Sequence, residues 1–298
     1  AMTKTDVWRR EDSFAALAPR YDGFIFDVWG TLYGGGPVFD GARVVLERLA
    51  DLGKPVVVLS NAPRSSETVA KRLDPLGIPS TLYRAIVTSG SETRRALIEC
   101  GDADHAALGA VCHAFGPDRA AEILPGTRFR DGAPLSDADW ILNAAPDEAD
   151  NTVEDYRDRL NEGVERNLVM VCANPDVHVV DKGRKLICAG ALAAAYEQLG
   201  GRVVYHGKPH RPVFDRAVEA LKLKGSEADG PRVLVVGDNR ATDIKGAAAA
   251  GLDSLLLADG IDADVLLTAD GRLDESSLKA FADIPGPDPD WVAPRLEW

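Results

Sequence analysis

Four stretches of the chain are apolar almost without interruption and too short for helices: Phe24-Ile25-Phe26, Pro55-Val56-Val57-Val58-Leu59, Val233-Leu234-Val235-Val236 and Ser254-Leu255-Leu256-Leu257. Strands buried on both faces of a parallel sheet read this way. Between them the period changes. Residues 41–52 carry apolar side chains at 45, 46, 49 and 52, the spacing of an amphipathic helix, and Gly53 closes it. Further helices are predicted over Ser13–Leu17, Ser66–Leu76, Pro212–Leu223, 244–250 and Glu275–Asp283, with another strand at Ala85-Ile86-Val87. From about residue 91 the register shifts. Strands at Ala110–Phe115, Trp140–Ala144 and Leu168–Ala173 alternate with helices at Asp118–Leu124 and Val153–Glu165, and a helix Gly190–Leu199 leads out. The segment Arg202–Tyr205 then returns to the first pattern. The fold expected is α/β: a Rossmann-like core with a parallel sheet (1–90 and 203–298) and an inserted α/β domain (91–202).

At 298 residues, 45% of them hydrophobic, the chain has ample core for two domains. Its net charge of -13 argues against a nucleic-acid or anionic-membrane surface, because either would be repelled. A negatively charged small substrate must then be drawn in by local cations or a metal. No apolar run approaches a membrane span and the polar start Thr3–Asp6 has no signal-peptide pattern, so a cytoplasmic protein is expected. The four cysteines are scattered and read as reduced core thiols. Cys100, His105, Cys112 and His113 match no zinc spacing.

The chemistry collects just past the long apolar strands: Asp27, Ser60 with Asn61, Lys208, and Asp238 with Asp243. In one parallel sheet these tips would lie on one edge and converge. They supply a nucleophilic or metal-binding carboxylate, hydroxyl and amide donors, a fixed cation and a second acidic pair. That set suits phosphoryl transfer, in which charge on non-bridging oxygens must be neutralised. Gly30 would let backbone N–H groups approach a ligand beside Asp27.

Asp27-Val28-Trp29-Gly30-Thr31, Ser60-Asn61, Lys208 and Gly237-Asp238-x-x-x-x-Asp243 resemble the four motifs of the haloacid dehalogenase (HAD) superfamily. Leu59–Arg64, Ala173-Asn174-Pro175-Asp176 and Gly207-Lys208-Pro209 resemble its class IIA branch, which includes NagD-like, pyridoxal-phosphate and nitrophenyl phosphatases. The resemblance implies a HAD core with a cap domain and a Mg²⁺-dependent hydrolase of small phosphomonoesters. Asp27 would form an aspartyl-phosphate. Ser60, Gly30, Thr31 and Asn61 would hold phosphate oxygens, Lys208 would neutralise charge, and Asn174 and Asp176 would face the substrate. Mg²⁺ would be bound by Asp27, the Trp29 backbone carbonyl, Asp238 and Asp243. A small phosphorylated metabolite is the implied partner, with a homodimer as the implied assembly.

One position departs from this pattern. Phosphatases of the superfamily usually carry an acid two residues after the nucleophile, to protonate the leaving group. Here Trp29 stands there, and an indole has no titratable proton near neutrality. Two other readings follow from it. One is a haloacid dehalogenase-like hydrolase using Asp27 on carbon; the other is a HAD-fold ligand-binding protein of weak activity. Retention of both Asp238 and Asp243 favours the metal-dependent phosphatase. His206 and His210, flanking Lys208, read as structural or solvated.

Overall fold

The computed structural model describes residues 8–223 and 230–298; the Thr3–Asp6 segment lies outside them. Its strands in chain order are β1 (Arg9–Arg10), β2 (Gly23–Phe26), β3 (Val56–Ser60), β4 (Ala85–Thr88), β5 (Cys112–Phe115), β6 (Trp140–Asn143) and β7 (Val169–Cys172). They continue with β8 (His178–Asp181), β9 (Arg184–Ile187), β10 (Arg202–Tyr205), β11 (Val233–Gly237), β12 (Asp253–Leu257) and β13 (Trp291–Ala293). The described residues fold as two compact units, the first drawn from 8–60, 70–86, 214–223 and 230–298, the other from 61–69 and 87–213.

The first unit is built on a sheet of order β1-β13-β12-β11-β2-β3-β4. Phe24, Ile25, Phe26, Val57, Val58, Leu234 and Val236 have no exposed surface, which is why these strands carry no polar alternation. Strand order runs outward in one direction from β2 through β3 to β4 and in the other from β11 through β12 to β13. The reversal falls between β2 and β11. Phe26 is in register with Val236, and the Asp27 N–H donates to the Val236 carbonyl at 2.9 Å. The two acid-bearing tips therefore end side by side at the switch point, where open α/β sheets bind ligands.

The helix Asp40–Asp51 lays Ala42, Val45, Leu46 and Leu49 against this sheet's core. Leu52, expected on the same face, lies past the helix end and is 56% exposed. The short C-terminal strand β13, with no periodicity to announce it, closes the sheet beside β12 and carries β1 on its outer edge.

The second unit holds the parallel sheet β10-β7-β6-β5 and the antiparallel hairpin β8–β9. Successive side chains of a strand face opposite ways, and the core shows it. Trp140, Leu142 and Val171 join one buried cluster with Leu97, Phe129 and Ile123. Ile141, Met170 and Cys172 join the other with Tyr156, Leu192 and Tyr196. β10 is a member of this sheet, paired along its length with β7. The expectation that Arg202–Tyr205 returns to the first sheet, and that all four tips share one sheet edge, is corrected by this pairing. A buried parallel strand carries the same apolar signature whichever sheet it joins. The helix Ser89–Glu99, begun by the Thr88 side chain accepting the Ser91 N–H, has a polar first turn that hid it from the periodicity.

Candidate active site

In the first unit Asp27, Asp238 and Asp243 come together, all buried, each offering a carboxylate oxygen within 4.8 Å of the others. Asp27 is carried by the end of β2 and Asp238 by the end of β11. Asp243 sits in a π-helical turn, Arg240–Ile244, whose wide spacing turns it back toward the strand end it follows. Its Oδ2 accepts the Asn239 N–H at 3.2 Å. Three carboxylates this close repel: at 4.8 Å each ionised pair costs roughly 3 kcal/mol at an effective dielectric of about 20. A divalent cation among the three carboxylates would offset that repulsion. The donors are all oxygen, which fits a hard ion such as Mg²⁺.

Glycines shape the cluster. Gly30 has φ +83°, and a Cβ there would stand 2.0 Å from Asp238 Oδ2, so both conformation and space demand glycine. A Cβ on Gly260 would lie 2.1 Å from the Asp238 Cβ, and one on Gly237 would lie 2.2 Å from the Asp243 carboxyl carbon. The Ile261 N–H donates to Asp238 Oδ2 at 2.8 Å. The acids are thus seated by backbone that no other residue type fits.

The loop Val28–Tyr33 is tightly wound, with Leu32 N–H donating to the Val28 carbonyl and Gly30 N–H to the Tyr33 carbonyl. Thr31 is buried and its hydroxyl has no hydrogen-bond partner among the described residues, an orphaned polar atom four residues from Asp27. Ser60 is buried at the end of β3. The half-buried indole of Trp29 packs edge-on against Tyr33 at 4.8 Å, with the Arg72 guanidinium 5.5 Å above it. No proton donor active near neutral pH is offered by that side chain.

The remaining sequence candidates belong to the second unit. Lys208 is buried, 2% exposed, just past β10. Its N–H donates to Asn61 Oδ1 at 2.7 Å, and Asn61 Nδ2 donates to the Lys208 carbonyl at 3.0 Å and to Asp176 Oδ1 at 2.8 Å. The amide of Asn61 therefore clasps the lysine's backbone, a role with no local signal in the sequence. Asn174 is buried, and its Oδ1 accepts the Asp176 N–H at 3.1 Å, which shapes the turn carrying Asp176. Burial pushes the thiols of Cys172 and Cys188 up to about 12, so neither is a nucleophile.

Residues 24–129 match the model of a haloacid dehalogenase-like hydrolase family, and residues 205–297 match a HAD-hydrolase-like family. A crystal structure of a haloacid dehalogenase-like hydrolase from Brucella suis is 33% identical, with a TM-score of 0.80, covering 96% of this chain and 99% of that one. NagD of Escherichia coli, a ribonucleotide monophosphatase, is 25% identical over 91% of this chain and 95% of its own length. A glycerol phosphate phosphatase from Mycobacterium tuberculosis in complex with magnesium shares the fold, at 24% identity and a TM-score of 0.66, over 96% of this chain and 78% of that one. The chain belongs to the haloacid dehalogenase superfamily of hydrolases, in its class IIA, NagD-like branch.

Proposed function

We propose that the protein is a Mg²⁺-dependent phosphatase that hydrolyses a small phosphomonoester through a phosphorylated Asp27. The observation that carries this reading is the buried Asp27–Asp238–Asp243 cluster at the sheet's switch point. A bound divalent cation would neutralise charge on the phosphoryl oxygens and among the three acids. Asp27 Oδ attacks phosphorus, the ester oxygen leaves, and water then cleaves the acyl phosphate. The Thr31 and Ser60 hydroxyls hold the non-bridging oxygens, with the backbone N–H groups that Gly30 lets come close. Lys208 neutralises the charge that develops on them, and Asn61 fixes the lysine's backbone. Asn174 and Asp176 face the rest of the substrate.

The relatives named above act on a ribonucleotide monophosphate and on glycerol phosphate by their names. Nucleotide, sugar phosphate, glycerol phosphate and pyridoxal phosphate are the classes to screen. Halide displacement from carbon has no use for three clustered carboxylates, which weighs against the dehalogenase reading. Phosphate release should be measured across these classes with and without Mg²⁺, beside halide release from 2-haloacids. Wild-type release of phosphate that needs Mg²⁺ and vanishes in Asp27→Asn supports the reading. Metal-independent halide release overturns it.

A further inference from the structure

The second unit contains a line of three side chains that the mechanism above leaves unused. Asp102 caps the helix Ala103–Ala106, accepting the His105 N–H at 3.0 Å, and its other oxygen lies 2.7 Å from His105 Nδ1. His105 is buried, and its Nε2 stands 2.9 Å from Nε2 of His206. His206 is half-buried at the tip of β10, two residues before Lys208. Its N–H donates to the Cys172 carbonyl at 3.0 Å, and its own carbonyl accepts the Ser89 hydroxyl at 2.5 Å.

The chemistry of the line fixes its protons. An ionised carboxylate only accepts, so His105 Nδ1 carries a hydrogen. Two facing ring nitrogens at this distance hold one proton between them. One ring donates through its Nε2 and the other accepts, so the contact ties the two imidazoles together. The charged and titratable groups around the pair are Asp102, Arg95, His210 and Arg128, whose guanidinium donates to the His105 carbonyl. Burial foremost, then His105, with His210 and Arg95 acting the same way and Asp102 opposing, lowers the His206 imidazole to about 3. The line therefore stays intact across the neutral range.

We propose that His206 is a positioning residue for Lys208, anchored through His105 to Asp102. The proposal rests on the reading of Lys208 as the charge-neutralising group. The segment from 206 to 208 is gripped at both ends, by His105 on the ring of His206 and by Asn61 on the backbone of Lys208. Between them Gly207 has φ +110°, and a Cβ there would lie 2.5 Å from Asn61 Oδ1 and 2.7 Å from Ser89 Oγ. Such a glycine turns freely unless both neighbours are held. Release of the His206 ring removes the side-chain anchor of this segment and leaves His206 held by its backbone bonds to Cys172 and Ser89.

Two variants test this in the full-length protein with Mg²⁺ and p-nitrophenyl phosphate. His206→Phe keeps the bulk and loses the hydrogen bond; His206→Gln keeps a donor for His105 Nε2. A displacement of about 1 Å is worth about 100-fold in rate, so kcat of His206→Phe should fall about 10- to 100-fold. KM should stay within about threefold, and His206→Gln should recover most of the rate. Amide exchange at Lys208, read by NMR, should quicken in His206→Phe while the rest of the second unit keeps its protection, and should not quicken in His206→Gln. Unchanged kcat in His206→Phe, or unchanged exchange at Lys208, overturns the proposal. The exchange measurement needs no substrate. A wild-type protein that releases no phosphate from any ester therefore overturns the phosphatase reading alone, and the positioning proposal is still decided by exchange at Lys208.

Discussion

Gly260→Ala adds one methyl group to a residue that is no ligand and is expected to cripple metal binding. The added Cβ would stand 2.1 Å from the Cβ of Asp238 and 2.2 Å from its Oδ2. The first of these atoms is fixed to the backbone, so no side-chain rotation relieves the clash. The tip of β11 and the turn at Gly260 must separate by more than about 1 Å to restore ordinary contact, at a cost typical of overpacking, about 1–3 kcal/mol. The hydrogen bond from Ile261 N–H to Asp238 Oδ2, 2.8 Å long, is strained by the same shift. Mg²⁺ takes ligands at about 2.0–2.1 Å in near-ideal octahedral geometry, so a carboxylate displaced this far is lost to it. Disturbing groups that merely orient ligands costs about 10- to 100-fold in metal affinity, and this change acts on a ligand's own backbone. A rise of about 100-fold in the Mg²⁺ concentration giving half-maximal phosphate release is expected, equivalent to about 2.7 kcal/mol. Activity titrated against Mg²⁺, beside urea unfolding without metal to gauge the packing cost, gives both numbers. A folded Gly260→Ala protein with the wild-type Mg²⁺ requirement would refute the assignment of Asp238 as a ligand.

Trp29 cannot donate a proton to a leaving group, so aryl phosphates should be hydrolysed about 10²- to 10⁴-fold faster than alkyl phosphates, and Trp29→Asp should narrow the gap; equal rates in the wild type would show that another group supplies the proton. Burial raises the Asp259 carboxyl to about 6, with Glu297 acting the same way and Arg295 opposing. Its folded value lies above the unfolded one, so the native state holds the extra proton and stability drops as pH climbs from about 4 to about 6. Asp259→Asn should therefore be more stable than wild type at pH 8, by an amount on the order of 2 kcal/mol, and no more stable at pH 4. Urea unfolding at both pH values checks this, and a less stable variant at pH 8 contradicts it. His206 acts in the opposite sense: its folded value is depressed, so its contribution is complete above about pH 6.5 and is lost as pH falls toward 3. His206→Gln should flatten the fall in melting temperature between pH 7 and pH 4.5, and an unaltered slope would show that the ring titrates freely.

What could be read from the sequence follows burial. β2, β3 and β11 are apolar on both faces, so a run of letters sufficed to find them, and the acids that interrupt those runs had to stand at their tips. Asp27, Asp238 and Asp243 were legible for that reason. β10 reads as a strand from its own residues, but its sheet does not, because membership depends on which strand it pairs with. The β8–β9 hairpin has no apolar run to mark it, because it is half-exposed and its turn at Lys182-Gly183 is embedded in a polar run. The Asn61 clasp joins residues 147 apart and the His105–His206 contact spans 101. Neither has a local spacing to announce it. Single polar residues acquire their roles from neighbours that only the finished fold supplies.

The pairing of β2 with β11 has a consequence for how the enzyme comes into being. Asp22, at the foot of β2, accepts the Arg232 N–H across a sequence separation of 210 residues. A ribosome must therefore add the 210 residues that separate Asp22 from Arg232 before the strand that ends at Asp27, already beside β3, gains β11 as its second neighbour. Until then the growing polypeptide carries an unfinished sheet edge, of the kind that invites aggregation and chaperone attention. Catalytic competence arrives late in synthesis, and a prematurely terminated product would lack it however well its earlier portion had folded.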